Sequence, residues 1–259
     1  MSNRRDEFKS SNPNPATRFL EWDSNQGCFK FYSKDKGENV VVKSPFRFVV
    51  LKQMHTVKGW HGKSESGIFS NEIENMAEML HVKSFKGGPI VSGMYKEIKD
   101  RLSGGVYFKS IYVMLQDGSI ANIAIKGAVV AAWGDFIKKQ MSRLPDEWVV
   151  VKGSKEEKNG SVKYTIPVFE FDRTLDDGFA EKADSAYNAL SDYFKGYLSK
   201  AAEEEAFEEA AAVVPEVDKS AHLTPPKMES FNADVNKFEK AALAPAPFNF
   251  DEPEDDLPF

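Results

Sequence analysis

Val106-Tyr107-Phe108-Lys109-Ser110-Ile111-Tyr112-Val113-Met114-Leu115-Gln116-Asp117-Gly118-Ser119-Ile120-Ala121-Asn122-Ile123-Ala124-Ile125-Lys126 is the stretch whose reading decides the fold. β-Branched and aromatic residues fill the first arm, isoleucines mark the second, and Asp117-Gly118 supplies the positive-φ chemistry of a tight hairpin turn. The segment predicts a long antiparallel hairpin on which a sheet is built. Alternate residues of a strand face opposite ways, so Tyr107 and Lys109 share one face and Phe108 takes the other.

Toward the N-terminus, Val91, Met94, Tyr95, Ile98 and Leu102 recur at helical spacing and predict a helix that stops before Gly104-Gly105. Lys83 to Pro89 is a basic, glycine-containing loop, and Asn71 to Leu80 predicts a short helix capped by Ser70 or Asn71. Lys58 to Gly67 has the glycine and small-polar composition of a surface loop. Phe46 to Val57 is a strand, and with Phe29–Tyr32 and Val40–Val42 it predicts a three-strand meander. Asn12-Pro13-Asn14-Pro15 breaks regular structure, so residues 1–17 are expected to be a disordered arm.

Toward the C-terminus, Val129 to Leu144 predicts a helix with Trp133, Phe136, Ile137 and Met141 on one side. Trp148–Val151 and Ser161–Phe171 form a second hairpin around Lys158-Asn159-Gly160. About seven strands with short inserted helices predict an α+β fold, mostly antiparallel, as an OB-like curved sheet or barrel. That domain is expected over residues 18–175. Residues 176–212 are helix-favouring, with a stripe of Phe179, Ala183, Ala186, Tyr187, Leu190, Phe194 and Leu198. The stripe serves docking on the domain or pairing with a second copy, which leaves a homo-oligomer open. Pro215, Pro225, Pro226, Pro245 and Pro247 make 213–250 a flexible linker, and 251–259 is an acidic tip that, with the linker, forms a disordered tail.

Charge follows this division. Residues 1–175 carry 27 Lys and Arg against 20 Asp and Glu, whereas 176–259 carry 7 against 20. A basic front and an acidic back fit a nucleic-acid binder with an acidic tail. Cys28 is the one cysteine, so an internal disulfide and a Cys-rich metal site are excluded, which fits a reducing cytoplasm. The N-terminus is polar, and no run approaches the roughly 18 apolar residues of a membrane helix. A cytoplasmic protein off the membrane is expected.

Enzyme motifs are incomplete. Gly62-Lys63-Ser64 has Val57 where a phosphate-binding loop needs glycine. His55, His61, His81 and His222 are scattered, and no Gly-x-Ser-x-Gly elbow occurs. The reading predicts no catalytic residue, no metal and no cofactor. Binding of single strands needs basic grooves and exposed rings, because every base has a π-face to stack. Lys30, Tyr32, Arg47, Lys58, Trp60, Lys63, Lys83, Phe85, Lys86, Tyr107 and Lys109 interleave these types and are the candidate contacts, with Lys126 a further phosphate contact. Trp60 is expected to be an exposed platform, and Trp133 and Trp148 to lie in the core.

The chain closes on Asp255-Asp256-Leu257-Pro258-Phe259, an apolar plug behind clustered carboxylates that suits a basic-rimmed pocket on a partner. These residues resemble the terminal tip of bacterial single-stranded-DNA-binding proteins, and phage replication proteins of that class end in similar tails. The resemblance covers only this tip. It implies an upstream OB fold that coats single-stranded DNA non-specifically, and a tip that docks proteins of replication, recombination and repair. In a phage the compartment would be the host cytoplasm. A protein-interaction adaptor that uses the same tip without binding DNA is the alternative.

Overall fold

The computed structural model describes residues 14–138 and 140–212, with side chains through 197. In chain order the strands are β1 Arg18–Asp23, β2 Cys28–Ser33, β3 Glu38–Val41, β4 Phe46–His61, β5 Ser66–Ser70, β6 Leu80–Ser84, β7 Pro89–Gly93, β8 Gly105–Leu115, β9 Ile120–Ile125, β10 Glu147–Asn159 and β11 Val162–Thr174. The helices are α1 Tyr95–Ile98, α2 Ala128–Ile137 and α3 Asp177–Ala212. The fold is α+β and mostly antiparallel sheet.

The Asp117-Gly118 hairpin sits inside the sheet, as its apolar arms require. The order is β3-β2-β1-β9-β8-β4-β5-β6-β7, and β1 with β9 is the parallel pair. β4 is the spine. β8 runs along one edge of it, with a bulge between Val50 and Lys52, while the other edge is shared. Phe46–Phe48 pair with β10 and Lys58–His61 pair with β5, so the sheet forks. One branch curls over: Trp22 Nε1 donates to the Thr165 carbonyl at 2.8 Å, and Thr165 N donates to the Ser24 carbonyl at 2.9 Å. These bonds tie the β1–β2 turn to β11. No strand ladder closes the curl among the described residues.

Packing follows strand alternation. Inside the curl, Leu20, Phe29, Phe48, Ile111, Val113 and Ile123 pack around α2. Trp133 anchors that helix edge-on to Phe169, with ring centroids 5.0 Å apart, and its Nε1 donates to Gln53 at 2.9 Å. On the reverse face Met54 and Tyr112 receive Leu190 and Phe194 of α3, and Val49 and Met114 pack with Trp148 and Ala183. Burial of a large side chain is worth about 1.5–3 kcal/mol, which fixes α3 on the body through Leu190 and Phe194, while Tyr187 of the stripe is exposed. A smaller cluster, including Val57, Ile68, Leu80, Val82, Val91 and Ile98, fills the other branch, β5–β7 with α1.

Several expectations change. The Lys58–Gly67 segment is not a loop: β4 continues to His61, β5 starts at Ser66, and only 62–65 turn. Two of its glycines mark close approach by another part of the chain. A Cβ on Gly59 would stand 2.2 Å from the Gly104 carbonyl, and one on Gly67 would meet the Phe85 ring at 2.6 Å. The helix expected over 71–80 is an irregular loop instead, in which Ile73 bridges His55 and Glu78 N donates to the Asn75 carbonyl at 2.9 Å before β6 begins at Leu80. Asn71 is not a cap there; its Nδ2 donates to the Met79 carbonyl and its Oδ1 accepts from His81 N, closing the loop. The helix expected over 91–102 shrinks to α1 and a 3-10 turn at Lys99–Arg101, because Val91 is held in β7. The meander is β1-β2-β3, since β3 does not pair with β4. The arm through residue 13, the linker, His222 and the tip Asp255-Asp256-Leu257-Pro258-Phe259 lie outside the described residues.

Candidate nucleic-acid interface

The side chains of Lys58 and Trp60 leave β4 on the same face, two residues apart. Register carries that face across the fork: Lys58 lies opposite Phe69, Trp60 opposite Gly67, and Phe69 opposite Lys83 of β6. Phe85 folds back from the end of β6 over Gly67 and stacks on Phe69, with ring centroids 4.8 Å apart and planes at 28°. Gly67 is needed for this, because only a bare α-carbon lets the Phe85 ring lie there. Trp60, Phe69 and Phe85 are 60%, 37% and 72% exposed, a concentration of uncovered rings that a core has no use for.

Cations rim these rings. On β8, Val106 pairs with Lys58 and Phe108 with Thr56, which places both on the same face. The ammonium groups of Lys58 and Lys126 stand 5.9 and 5.5 Å from the Phe108 ring centroid. Phe108 thus holds two cations by its π-face while staying buried itself. Lys63 sits in the β4–β5 turn and Lys86 in the β6–β7 turn, both exposed. Among the described residues no carboxylate forms an ion pair with Lys58, Lys63, Lys86 or Lys126. Rings with cations between them suit a polyanion whose bases are free to stack.

The structure therefore brings together Lys58, Trp60, Lys63, Lys83, Phe85 and Lys86 of the candidates. Phe69 and Phe108 join them and were not foreseen. Reading Ser66-Gly67-Ile68-Phe69-Ser70 as a strand opposite Lys58 would have found Phe69 by alternation. Four other cationic or aromatic candidates lie elsewhere. Arg47 is at the far end of β4, roughly 40 Å along the strand from Trp60, and its Nε holds Asp172 at 2.8 Å. Lys30 on β2 is held by Asp23 at 2.9 Å, which keeps that carboxyl below its ordinary range. Tyr107 and Lys109 project from the opposite face of β8 to Phe108. A fifth, Tyr32, is 62% exposed on β2, separated from β4 by β1, β9 and β8. Trp133 and Trp148 are buried in the core.

Tyr107 and Lys109 keep different company. Lys109 is the direct cross-strand partner of His55, and the Tyr107 hydroxyl lies 2.5 Å from His55 Nδ1. Tyr95 of α1 leans on Tyr107 with ring centroids 5.3 Å apart. Burial and the neighbouring Lys109 ammonium lower the His55 pKa to about 4, and burial alone pushes Lys109 down. Burial also raises the Tyr107 phenol, so both tyrosine oxygen and ring stay neutral at pH 7.

Among the described residues no group of three or more His, Cys, Asp or Glu is arranged to hold a metal ion, and no helix is long and apolar enough to cross a membrane. Comparison with known proteins found no matching family model, no matching curated protein and no matching solved structure.

Proposed function

We propose that this chain is a non-enzymatic single-stranded-DNA-binding protein, acting in replication, recombination or repair. It coats unpaired strands without sequence preference. Trp60 and the Phe85–Phe69 stack take successive bases, and Lys58, Lys63, Lys83, Lys86 and Lys126 take phosphates. The observation that carries this reading is the set of three exposed rings with lysines between them on one sheet face. The curled sheet is read as an OB-like body from which the β5–β7 branch extends as a binding lobe. The tip Asp255-Asp256-Leu257-Pro258-Phe259 recruits partner enzymes, as its resemblance to terminal tips of that class suggests.

A fluorescence titration with oligo-dT at about 50 mM salt tests the reading, since electrostatic contacts are strongest at low ionic strength. Wild type is expected to be quenched, and Trp60→Ala to lose most of the quench together with about 1–3 kcal/mol of affinity, the range for one stacked base. Undetectable binding by wild type would instead favour the adaptor, in which only the tip matters.

A further inference from the structure

On the face of the sheet opposite the exposed rings, we propose a second site, in which Lys109 and His55, the latter oriented by Tyr107, bind a phosphate group beneath Tyr95. It goes beyond the ring face and does not depend on it. His55 and Lys109 form one cross-strand pair of β4 and β8, where side chains stand about 4.5–5.5 Å apart at their Cβ atoms. Tyr107 shares their face two residues from Lys109, 2.5 Å from His55 Nδ1 through its hydroxyl. Tyr95 walls the group from α1.

Among the described residues the group is rich in donors and holds no anion. Lys109 is half-buried, and no carboxylate among the described residues pairs with it. Glu72, which lies against the same strand, is occupied on the reverse face by Ser110 Oγ at 2.6 Å and Tyr112 Oη at 2.7 Å. A cation stripped of water without a counter-charge is costly, and a bound anion removes that cost. Burial and the Lys109 ammonium favour the neutral form of the neighbouring His55; in the proposed site the Tyr107 O–H is the donor in its 2.5 Å contact with Nδ1, which assigns the ring proton to Nε2. The site then offers an ammonium and an imidazole N–H to one ligand. That pairing suits the several acceptor oxygens of a phosphate, either a phosphodiester of a bound strand or the terminal phosphate of a free nucleotide.

The test is a long-range 1H–15N spectrum of the histidine side chains in the full chain, with His55 assigned by its loss in His55→Gln. Inorganic phosphate, thymidine 5′-monophosphate and oligo-dT are titrated in turn, against chloride at matched ionic strength. The expected result is a His55 ring protonated at Nε2 whose signals shift on titration, with at least tenfold weaker response in Lys109→Met and retention in Lys109→Arg. A response to phosphate and the monophosphate identifies a free-phosphate site, and a response to oligo-dT alone identifies a backbone phosphodiester. His55 signals unmoved by all three overturn the proposal on wild type alone, whatever the variants do. Equal shifts in Lys109→Met overturn it too. Tryptophan quenching recorded in parallel reports the ring face separately, so either site can fail without the other.

Discussion

The two branches of the forked sheet treat their aromatic residues in opposite ways. In the curled branch, Phe29, Phe46, Phe48, Trp133 and Phe169 interlock under α2, and α3 covers the reverse face. In the β5–β7 branch the small core is aliphatic, and Trp60, Phe69 and Phe85 stand on the uncovered face. The same β4 strand supplies Phe48 to one and Trp60 to the other. Rings are packed core where a helix covers them and stand exposed where none does.

Substitutions that exchange these roles give the largest effects. Trp133→Ala is expected to cost about 3–5 kcal/mol in chemical denaturation, from the cavity and the orphaned Gln53, whereas Trp60→Ala should change stability by no more than about 0.5 kcal/mol. A large loss in Trp60→Ala would erase the contrast. Gly67→Ala drives a methyl into Phe85. Its oligo-dT affinity should fall by nearly as much as that of Phe85→Ala, about 1–3 kcal/mol, with the melting transition little moved.

A third prediction concerns acid. The folded His55 pKa of about 4 lies below the ordinary 6.5, so the unfolded chain takes up the proton first as pH falls. Stability contributed by neutral His55 is whole above pH 6.5, declines between 6.5 and about 4, and is gone below that. The partly solvated ring limits it to about 1–2 kcal/mol, and His55→Gln should flatten denaturation midpoints across that window. The smallest effects separate lysines by position. Lys58→Gln and Lys126→Gln should each reduce the salt dependence of binding by about 0.7 in log–log slope, while Lys30→Gln leaves it unchanged because Asp23 already holds that cation.

Fold class was legible because the Asp117-Gly118 hairpin and the Trp133 helix carry their own periodicity. The β5–β7 branch was not. Its glycines look like loop residues in one dimension, and their reason lies across the chain, where Gly59 meets Gly104 and Gly67 lies under Phe85. Spacing at Val91, Met94 and Tyr95 imitates a helix, but pairing of Val91 with Val82 overrides it. For the candidate site, local composition found Trp60 and Phe85. It could not tell that Lys30 and Arg47 are neutralised by Asp23 and Asp172, since the second of those partners lies 125 residues away. Nor could it show that Lys109 faces His55, which is a matter of register.

Photocrosslinking of thymidylate oligomers to the full chain, with mass spectrometry of the adducts, tests most directly whether the uncovered rings hold the strand. Adducts at Trp60, Phe69 or Phe85 are predicted, lost in Trp60→Ala with Phe85→Ala. Adducts confined to Tyr32 on β2, or none at saturating oligomer, would contradict the assignment of this face.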